Sequence, residues 1–334
     1  MSMLFIDNQN ITDPRINLAI EEYVLKHLDV EENTYLLFYI NEPSIIIGKH
    51  QNTVEEIHVD YVRDNQIHVV RRLSGGGAVY HDLGNLNFSF ITKDDGKSFS
   101  NFKKFTEPVI QALHQLGVQA ELSGRNDIHV DGRKISGNAQ FSTRGRMFSH
   151  GTLMFDVKVE DVVQALNVKK EKIESKGIKS VRSRVANITE FLEEKKMSIL
   201  EFRQFLLEHI FANTDEIPEY VLTEKDWEKI YQIRDEHYGN WDWNYGESPV
   251  FNVQQTKRFP VGTIDIRLDV GEKSIIQGCK IYGDFFGIGD VADIEQRLIG
   301  VRYERDSLEE ALQDVDLKHY FGNVSLAEFL DLLY

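Results

Sequence analysis

The spacing of apolar residues changes period several times along this chain, and each change marks an element. Apolar positions from Ile16 to Leu28 recur at helical spacing, and Asp13-Pro14 supplies a start signal. The runs Tyr35–Ile40 and Ser44–Ile47 are β-rich and are separated by a turn at Asn41-Glu42-Pro43. Ile67 to Val70 reads as a buried strand, and Leu86 to Ile91 alternates like another. Phe102 to Leu116 is amphipathic at helical period and is stopped by Gly117. Asp127–Val130 and Arg133–Ser136 flank Asp131-Gly132, a two-residue hairpin signal. Phe148 to Phe155 predicts a strand, and Asp161 to Leu166 a short helix. Ser198 with Glu201, and Thr223 with Asp226, predict capped helices running to Phe211 and to about His237.

The pattern shifts after the aromatic cluster Trp241-Asp242-Trp243-Asn244-Tyr245, read as a packed corner between domains. Ser248-Pro249 is a candidate linker. Beyond it, Ile264, Ile266, Leu268 and Val270 share one strand face, Gly271-Glu272-Lys273 turns the chain, and Ser274 to Tyr282 returns. Val291–Leu298, Ser307–Leu312 and Ser325–Leu333 predict helices. The expected architecture is α/β (α+β): a mixed sheet flanked by helices over residues 1–247, and a small α+β domain over 248–334.

Charge and composition narrow the function. The 334 residues carry a formal net charge of −16, which disfavours nucleic-acid partners. No apolar run approaches membrane-spanning length, and the N-terminal residues lack the pattern of a signal peptide. A single cysteine, Cys279, excludes an internal disulfide. These features lead to the expectation of a cytoplasmic protein with no membrane partner. Against the acidic background, residues 169–184 hold seven basic side chains and two acidic ones. This segment lacks a clear apolar period and reads as a loop, either a solvated charge run or a site for an anion.

The candidate chemistry centres on Arg71-Arg72-Leu73-Ser74-Gly75-Gly76-Gly77-Ala78-Val79-Tyr80-His81-Asp82-Leu83-Gly84-Asn85. Three consecutive glycines let backbone approach a ligand closely, and exposed amides beside guanidinium groups suit an anion. A glycine-rich hairpin with solvated arginines fits the same residues. The stretch nevertheless resembles the lipoate-binding signature of the lipoate–protein ligase family. The resemblance extends through Asn17-Leu18-Ala19-Ile20-Glu21-Glu22, Pro43 to Asn52, Gly124-Arg125-Asn126-Asp127, Asp131 to Ala139, His150-Gly151-Thr152-Leu153 and Lys176 to Val185, in the family's order.

That resemblance implies a biotinyl/lipoyl ligase-like catalytic domain with a C-terminal accessory domain. The implied activity is ATP-dependent conversion of lipoate to lipoyl-AMP, followed by transfer to a lysine of lipoyl domains. Such acceptors are 2-oxoacid dehydrogenase acyltransferase subunits and the glycine-cleavage H protein; the enzyme itself is expected to be a monomer. The resemblance gives Lys134 the catalytic role, contacting carbonyl and phosphate of the acyl-adenylate. Spacing alone equally allows an edge-strand charge. It gives lipoate contacts to Arg71, Ser74, Gly75, Gly76, Gly77, His150 and Gly151. It gives ATP or adenylate contacts to Tyr80, Asn85, Asn126, Asp127, Lys134, Gly137, Ser180, Val181 and Arg182. Asp127 is the candidate Mg²⁺ ligand, or simply the start of a hairpin strand. His81 and His150 read either as bases or as structural hydrogen-bonders. A thioester-forming transferase of the same fold would need a reactive thiol, and Cys279 lies outside every motif. A non-catalytic lipoate-binding protein is the other alternative. The G-R-G-R-x-G loop of biotin ligases is absent from the sequence.

Overall fold

The computed structural model describes residues 2–167, 183–192, 196–212, 216–245 and 251–334. The larger unit is built on a seven-stranded sheet in the order β1-β2-β6-β10-β9-β8-β7. Its strands are β1 (Ser2–Ile6), β2 (Asn33–Ile40), β6 (Asn85–Lys93), β7 (Glu121–Ser123), β8 (Asp127–Val130), β9 (Arg133–Thr143) and β10 (Arg146–Met154). Only β1 and β2 run parallel within it. A second sheet pairs β3 (Ser44–Ile47) in parallel with β4 (His68–Arg71) and antiparallel with β5 (Val79–His81).

The elements follow their sequence signals closely. The first helix spans Pro14–His27, with the Asp13 carboxylate capping Arg15 N and Pro14 in the first turn. Asp131 and Gly132 take φ of 50° and 73°, the pair of positive values that a tight hairpin turn needs between β8 and β9. The helix Ile199–Ile210 begins with the expected reciprocal Ser198–Glu201 capping box. Helices Phe102–Gln115 and Ile199–Ile210 cover one face of the large sheet, burying Phe88, Phe90, Phe105, Val109, Phe202 and Leu206. On the opposite face, Pro14–His27 packs Leu18, Ile20 and Val24 against Leu37, Ile46, Val70 and Phe148. The small sheet therefore lies against this second face. Its own far side forms a separate cluster of Ile45, Ile47, Val69 and Tyr80.

Residues 251–334 form a third sheet, β11 (Val253–Phe259), β12 (Gly262–Val270) and β13 (Ile276–Gly283), packed with four short helices around its own core. Ile264, Ile266 and Leu268 point together into that core, as their alternation predicts. Several elements carry no strong sequence signal, among them β1 at the chain's start, the three-residue β7, the polar β11 and the short helices Thr53–Glu56, Val59–Asp64 and Leu317–Phe321. The charged segment 169–182 and the linker positions 246–250 lie outside the described residues.

Candidate active site

Strand parity decides which side chains of the small sheet reach the space between the two sheets. Val70 faces the large sheet and Val69 faces away, so the next two residues diverge in the same way. Arg72 turns inward and lines a cavity of about 390 Å³. Arg71, expected among the lipoate contacts, turns outward and does not line that cavity. Its Nη1 donates to the carbonyls of Gly48, Lys49 and Gln51 at 2.9, 3.0 and 2.7 Å, and its Nε donates to Trp243 O at 2.9 Å. A guanidinium so fully engaged braces the scaffold. Burial pulls the pKa of both arginines down to about 10.

The same parity turns Tyr80, expected among the ATP contacts, away from the cavity. Val79 and His81 line the cavity, whereas Tyr80 between them packs into the outer cluster. Asn85 also stands back from the wall: its Nδ2 donates to Oδ1 of Asn87, and Asn87 lines the cavity. Ser74 and Gly75 support the wall from behind. Arg72 Nε donates to Ser74 Oγ at 3.0 Å, and Ser74 Oγ lies 2.8 Å from His150 Nε2. The opposite ring nitrogen of His150 lies 2.9 Å from Glu21 Oε1. Arg72 Nη2 further donates to the carbonyls of Gly75 and Gly77, which fixes the shape of the glycine loop.

Gly76 and Gly77 do line the cavity. The loop is tight where it meets the C-terminal unit. A Cβ on Gly75 would stand 2.3 Å from the Phe285 carbonyl oxygen, and one on Gly76 2.9 Å from the Phe286 ring. Phe286 and Asp284 also line the cavity, so the C-terminal unit supplies part of its wall. The seam is held further by Gly283 N donating to His50 O at 2.7 Å and by the Arg125 guanidinium stacked 4.4 Å from the Phe286 ring. Sequence reading missed these C-terminal contributions, because no local motif marks them.

The β8–β9 hairpin delivers the other end. Lys134, Asn126, Asp127, Gly137, Asn138 and Arg125 all line the cavity, and β10 adds His150, Gly151 and Thr152. Lys134 Nζ lies 3.0 Å from Asp127 Oδ1. A bulge between Ile128 and His129 shifts the pairing, so that Asp127 sits opposite Gly137. A Cβ on Gly137 would stand 3.1 Å from Lys134 Nζ, so this glycine leaves room for the ammonium. Lys134 N donates to Arg184 O at 2.7 Å, and Ala186 N donates to Lys134 O at 2.9 Å. The chain emerging from the basic segment is thus stitched to the backbone of Lys134. Ser180, Val181 and Arg182 themselves lie outside the described residues.

Among the described residues, two buried polar atoms on the lining have no hydrogen-bond partner, Nε2 of His81 and Oδ1 of Asn138. Burial, with the charges of Arg72 and His150 adding to it, pushes the His81 pKa down to about 3 and keeps the ring neutral. No cluster of three metal-ligating side chains occurs among the described residues. Cys279 lies in β13 within the C-terminal core, where burial pushes its thiol up to about 12.

Cations and carboxylates thus meet at one end of the cavity, while Leu18, Tyr39, Ile46 and Val79 give apolar wall elsewhere. This is the arrangement of a protein that handles a small acid with an apolar tail. Family models agree. Residues 13–211 match the lipoyl protein ligase A/B catalytic domain and residues 248–333 match the bacterial lipoate protein ligase C-terminus. The chain belongs to the lipoate–protein ligase family. It is 70% identical over 334 residues to lipoate-protein ligase LplJ of Bacillus subtilis, covering 99% of this chain and 100% of that one. Among solved structures it resembles the bi-partite lipoate protein ligase of Thermoplasma acidophilum, studied with its E2 lipoyl domain. There the TM-score is 0.65 with 31% identity, over 75% of this chain and 98% of that one. It also resembles a lipoate-protein ligase A bound with ATP, with TM-score 0.61 and 30% identity over 73% and 98% of the two chains.

Proposed function

We propose that this enzyme activates free lipoate with ATP and joins it to the lysine of a lipoyl domain in two steps. The lipoate carboxylate attacks the α-phosphorus of ATP, the bond to the leaving phosphate breaks, and pyrophosphate departs from lipoyl-AMP. The acceptor lysine amine then attacks the acyl carbon, AMP leaves, and the amine gives up a proton. The observation that carries this reading is the Lys134–Asp127 pair beside Gly137 at the cation-lined end of the cavity. The close similarity to a named lipoate ligase and the likeness to an ATP-bound one support the two substrates.

Lys134 places an ammonium where charge grows on phosphate and acyl oxygen in both steps, which is electrostatic catalysis without a protein nucleophile. Arg125 and Asn126 stand beside it as further donors for phosphate. Arg72 shapes the glycine loop over the acyl chain, and Gly151 keeps the wall thin. A Cβ there would stand 2.1 Å from Asn138 Oδ1. Ser180, Val181 and Arg182 we assign to the adenylate on motif resemblance alone. Asp127, whose second carboxylate oxygen is left over from the pair with Lys134, would be the carboxylate that meets Mg²⁺, an ion held in such sites mostly by phosphate oxygens. That ion would neutralise phosphate charge.

The acceptors we assign are acyltransferase lipoyl domains of 2-oxoacid dehydrogenases and the glycine-cleavage H protein. The Thermoplasma ligase, studied with its E2 lipoyl domain, supports the first class. We place the enzyme in the cytoplasm as a monomer. No helix among the described residues is long and apolar enough to cross a membrane. A thioester route is disfavoured because Cys279 is buried in the C-terminal core with a raised pKa. The direct test is lipoate-dependent exchange of pyrophosphate into ATP. Exchange that requires lipoate supports the ligase. Its absence, with acyl transfer from a thioester donor instead, would refute it.

A further inference from the structure

The unpartnered nitrogen of His81 is the end of a hydrogen-bonded chain that begins far from the cavity. Asn8 Nδ2 donates to Asn17 Oδ1 at 2.8 Å, Asn17 Nδ2 donates to Asn41 Oδ1 at 2.9 Å, and Asn41 Nδ2 lies 3.0 Å from His81 Nδ1. All four side chains are buried, none more than 3% exposed. The direction of the chain is fixed at its start. The Nδ2 atoms of Asn8 and Asn17 both also reach the Ile11 carbonyl, at 3.0 and 2.9 Å, and a carbonyl only accepts. Each amide must therefore present its oxygen backwards and its nitrogen forwards. The last amide donates to His81 Nδ1, which must accept, and in a neutral ring the proton then sits on Nε2.

That proton has no acceptor among the described residues, yet its ring lines the cavity. A buried donor left without a partner is costly, so a ligand that supplies an acceptor is favoured over one that does not. The charged groups acting on His81 are Arg72 and His150, its cross-strand partner is Ser44, and Val79, two positions back on the same face of the strand, lines the cavity with it. On the ligase reading above, which puts the carboxyl end of the acid at Lys134 on the large sheet, the wall that Val79 and His81 form on the small sheet is assigned to the tail of the acid. Lipoate carries two ring sulfurs there, which accept weak hydrogen bonds. A plain alkyl acid of the same chain length carries none.

We propose that the Asn8–Asn17–Asn41 relay holds His81 as a fixed Nε2–H donor in the cavity wall, and that this donor selects a dithiolane-bearing acid over an unsubstituted alkyl acid. His81 is then a specificity residue, and the three asparagines are positioning residues. Asn41→Asp is the sharpest perturbation. Its carboxylate only accepts, so His81 must move its proton to Nδ1 and turn a lone pair toward the ligand.

The experiment combines nitrogen-15 NMR of histidine-labelled full-length protein with calorimetric titration of lipoate and of octanoate. In the wild type, His81 should carry its proton on Nε2 at pH 7. Asn41→Asp should transfer it to Nδ1 and lower the lipoate-to-octanoate affinity ratio roughly tenfold. His81→Leu gives the same ratio test should Asn41→Asp fail to fold. A proton on Nδ1 in the wild type, or a ratio unchanged in a folded variant, would overturn the proposal. Wild-type protein that binds no lipoate at all would instead overturn the ligase reading on which it rests.

Discussion

Gly75 and Gly77 are two positions apart in one loop, but their surroundings differ sharply. A Cβ on Gly75 meets the Phe285 carbonyl at 2.3 Å, whereas a Cβ on Gly77 meets nothing within 4 Å. Gly75→Ala should therefore push the C-terminal unit off the loop and destabilise the protein by about 1–3 kcal/mol, the usual cost of overpacking. Gly77→Ala should change stability by less than about 0.5 kcal/mol. Because Gly77 lines the cavity, its extra methyl should weaken lipoate binding instead. Denaturant unfolding together with lipoate titration of both variants checks this; equal stability losses would contradict it. The triple glycine was legible in the sequence, but the division of labour within it was not, since Phe285 is some 200 positions away. Arg71 and Arg72 teach a related lesson. A doublet of arginines announces a cationic site, and only strand parity tells which one enters it. The apolar run Ile67–Val70 gives no alternation from which to read that parity, because both faces of β4 are buried. The outward packing of Tyr80 was illegible for the same reason.

At the scale of elements, the Asp131-Gly132 hairpin was the most legible feature, because its turn has a specific backbone requirement that those two residues meet. What the sequence did not reveal is how β9 is held beyond the turn. The parallel bridge between Lys134 and Val185 joins residues 51 positions apart, and no propensity encodes such a contact. Ala186→Pro removes the amide that donates to the Lys134 carbonyl. It should destabilise the protein by about 1–3 kcal/mol, because a backbone acceptor is left unmatched. It should also weaken ATP binding, since it loosens the strand that carries Lys134. Unchanged ATP affinity in a folded Ala186→Pro protein would show that the bridge does not position the site. β1 and β11 escaped notice for an ordinary reason. One is a short terminal strand, and the other is mostly polar because one of its faces is solvated.

For the whole molecule, the seam between the two units carries a pH-sensitive group. The His50 ring is buried and stacked 4.6 Å from the Phe285 ring, and its backbone carbonyl accepts from Gly283. Burial, aided by nearby Lys49, depresses its pKa from 6.5 to about 3. His81 is depressed to about 3 in the same way. Between pH of about 6.5 and about 3 the unfolded chain binds protons that the folded chain refuses. Stability is therefore fully present above about 6.5 and declines as pH falls through that window. Glu22 adds to this lower down. Burial alone would raise its carboxyl, but hydrogen bonds from His237, Lys26 and Tyr238 outweigh that and hold it at about 2. Its contribution is present above about 4.5 and is lost as pH falls toward 2. The midpoint of thermal unfolding should accordingly drop steadily from pH 7 to pH 4.5, and His50→Phe should flatten the slope. A midpoint independent of pH over that range would contradict the assignment of neutral buried imidazoles.

The central claim is that Lys134 acts on the acyl phosphate in both half-reactions and does not merely charge a strand edge. It pairs with Asp127 at 3.0 Å, faces the cavity and has its ammonium in the space that Gly137 leaves by lacking a side chain. The decisive measurement is the rate of lipoyl-adenylate formation and, separately, of lipoyl transfer from that adenylate in Lys134→Ala, with thermal unfolding as the control. Loss of one preorganised donor should slow both steps by about 10²–10³ with folding preserved, and Lys134→Arg should rescue only in part. Near-wild-type rates in both steps from a stably folded Lys134→Ala protein would contradict the account.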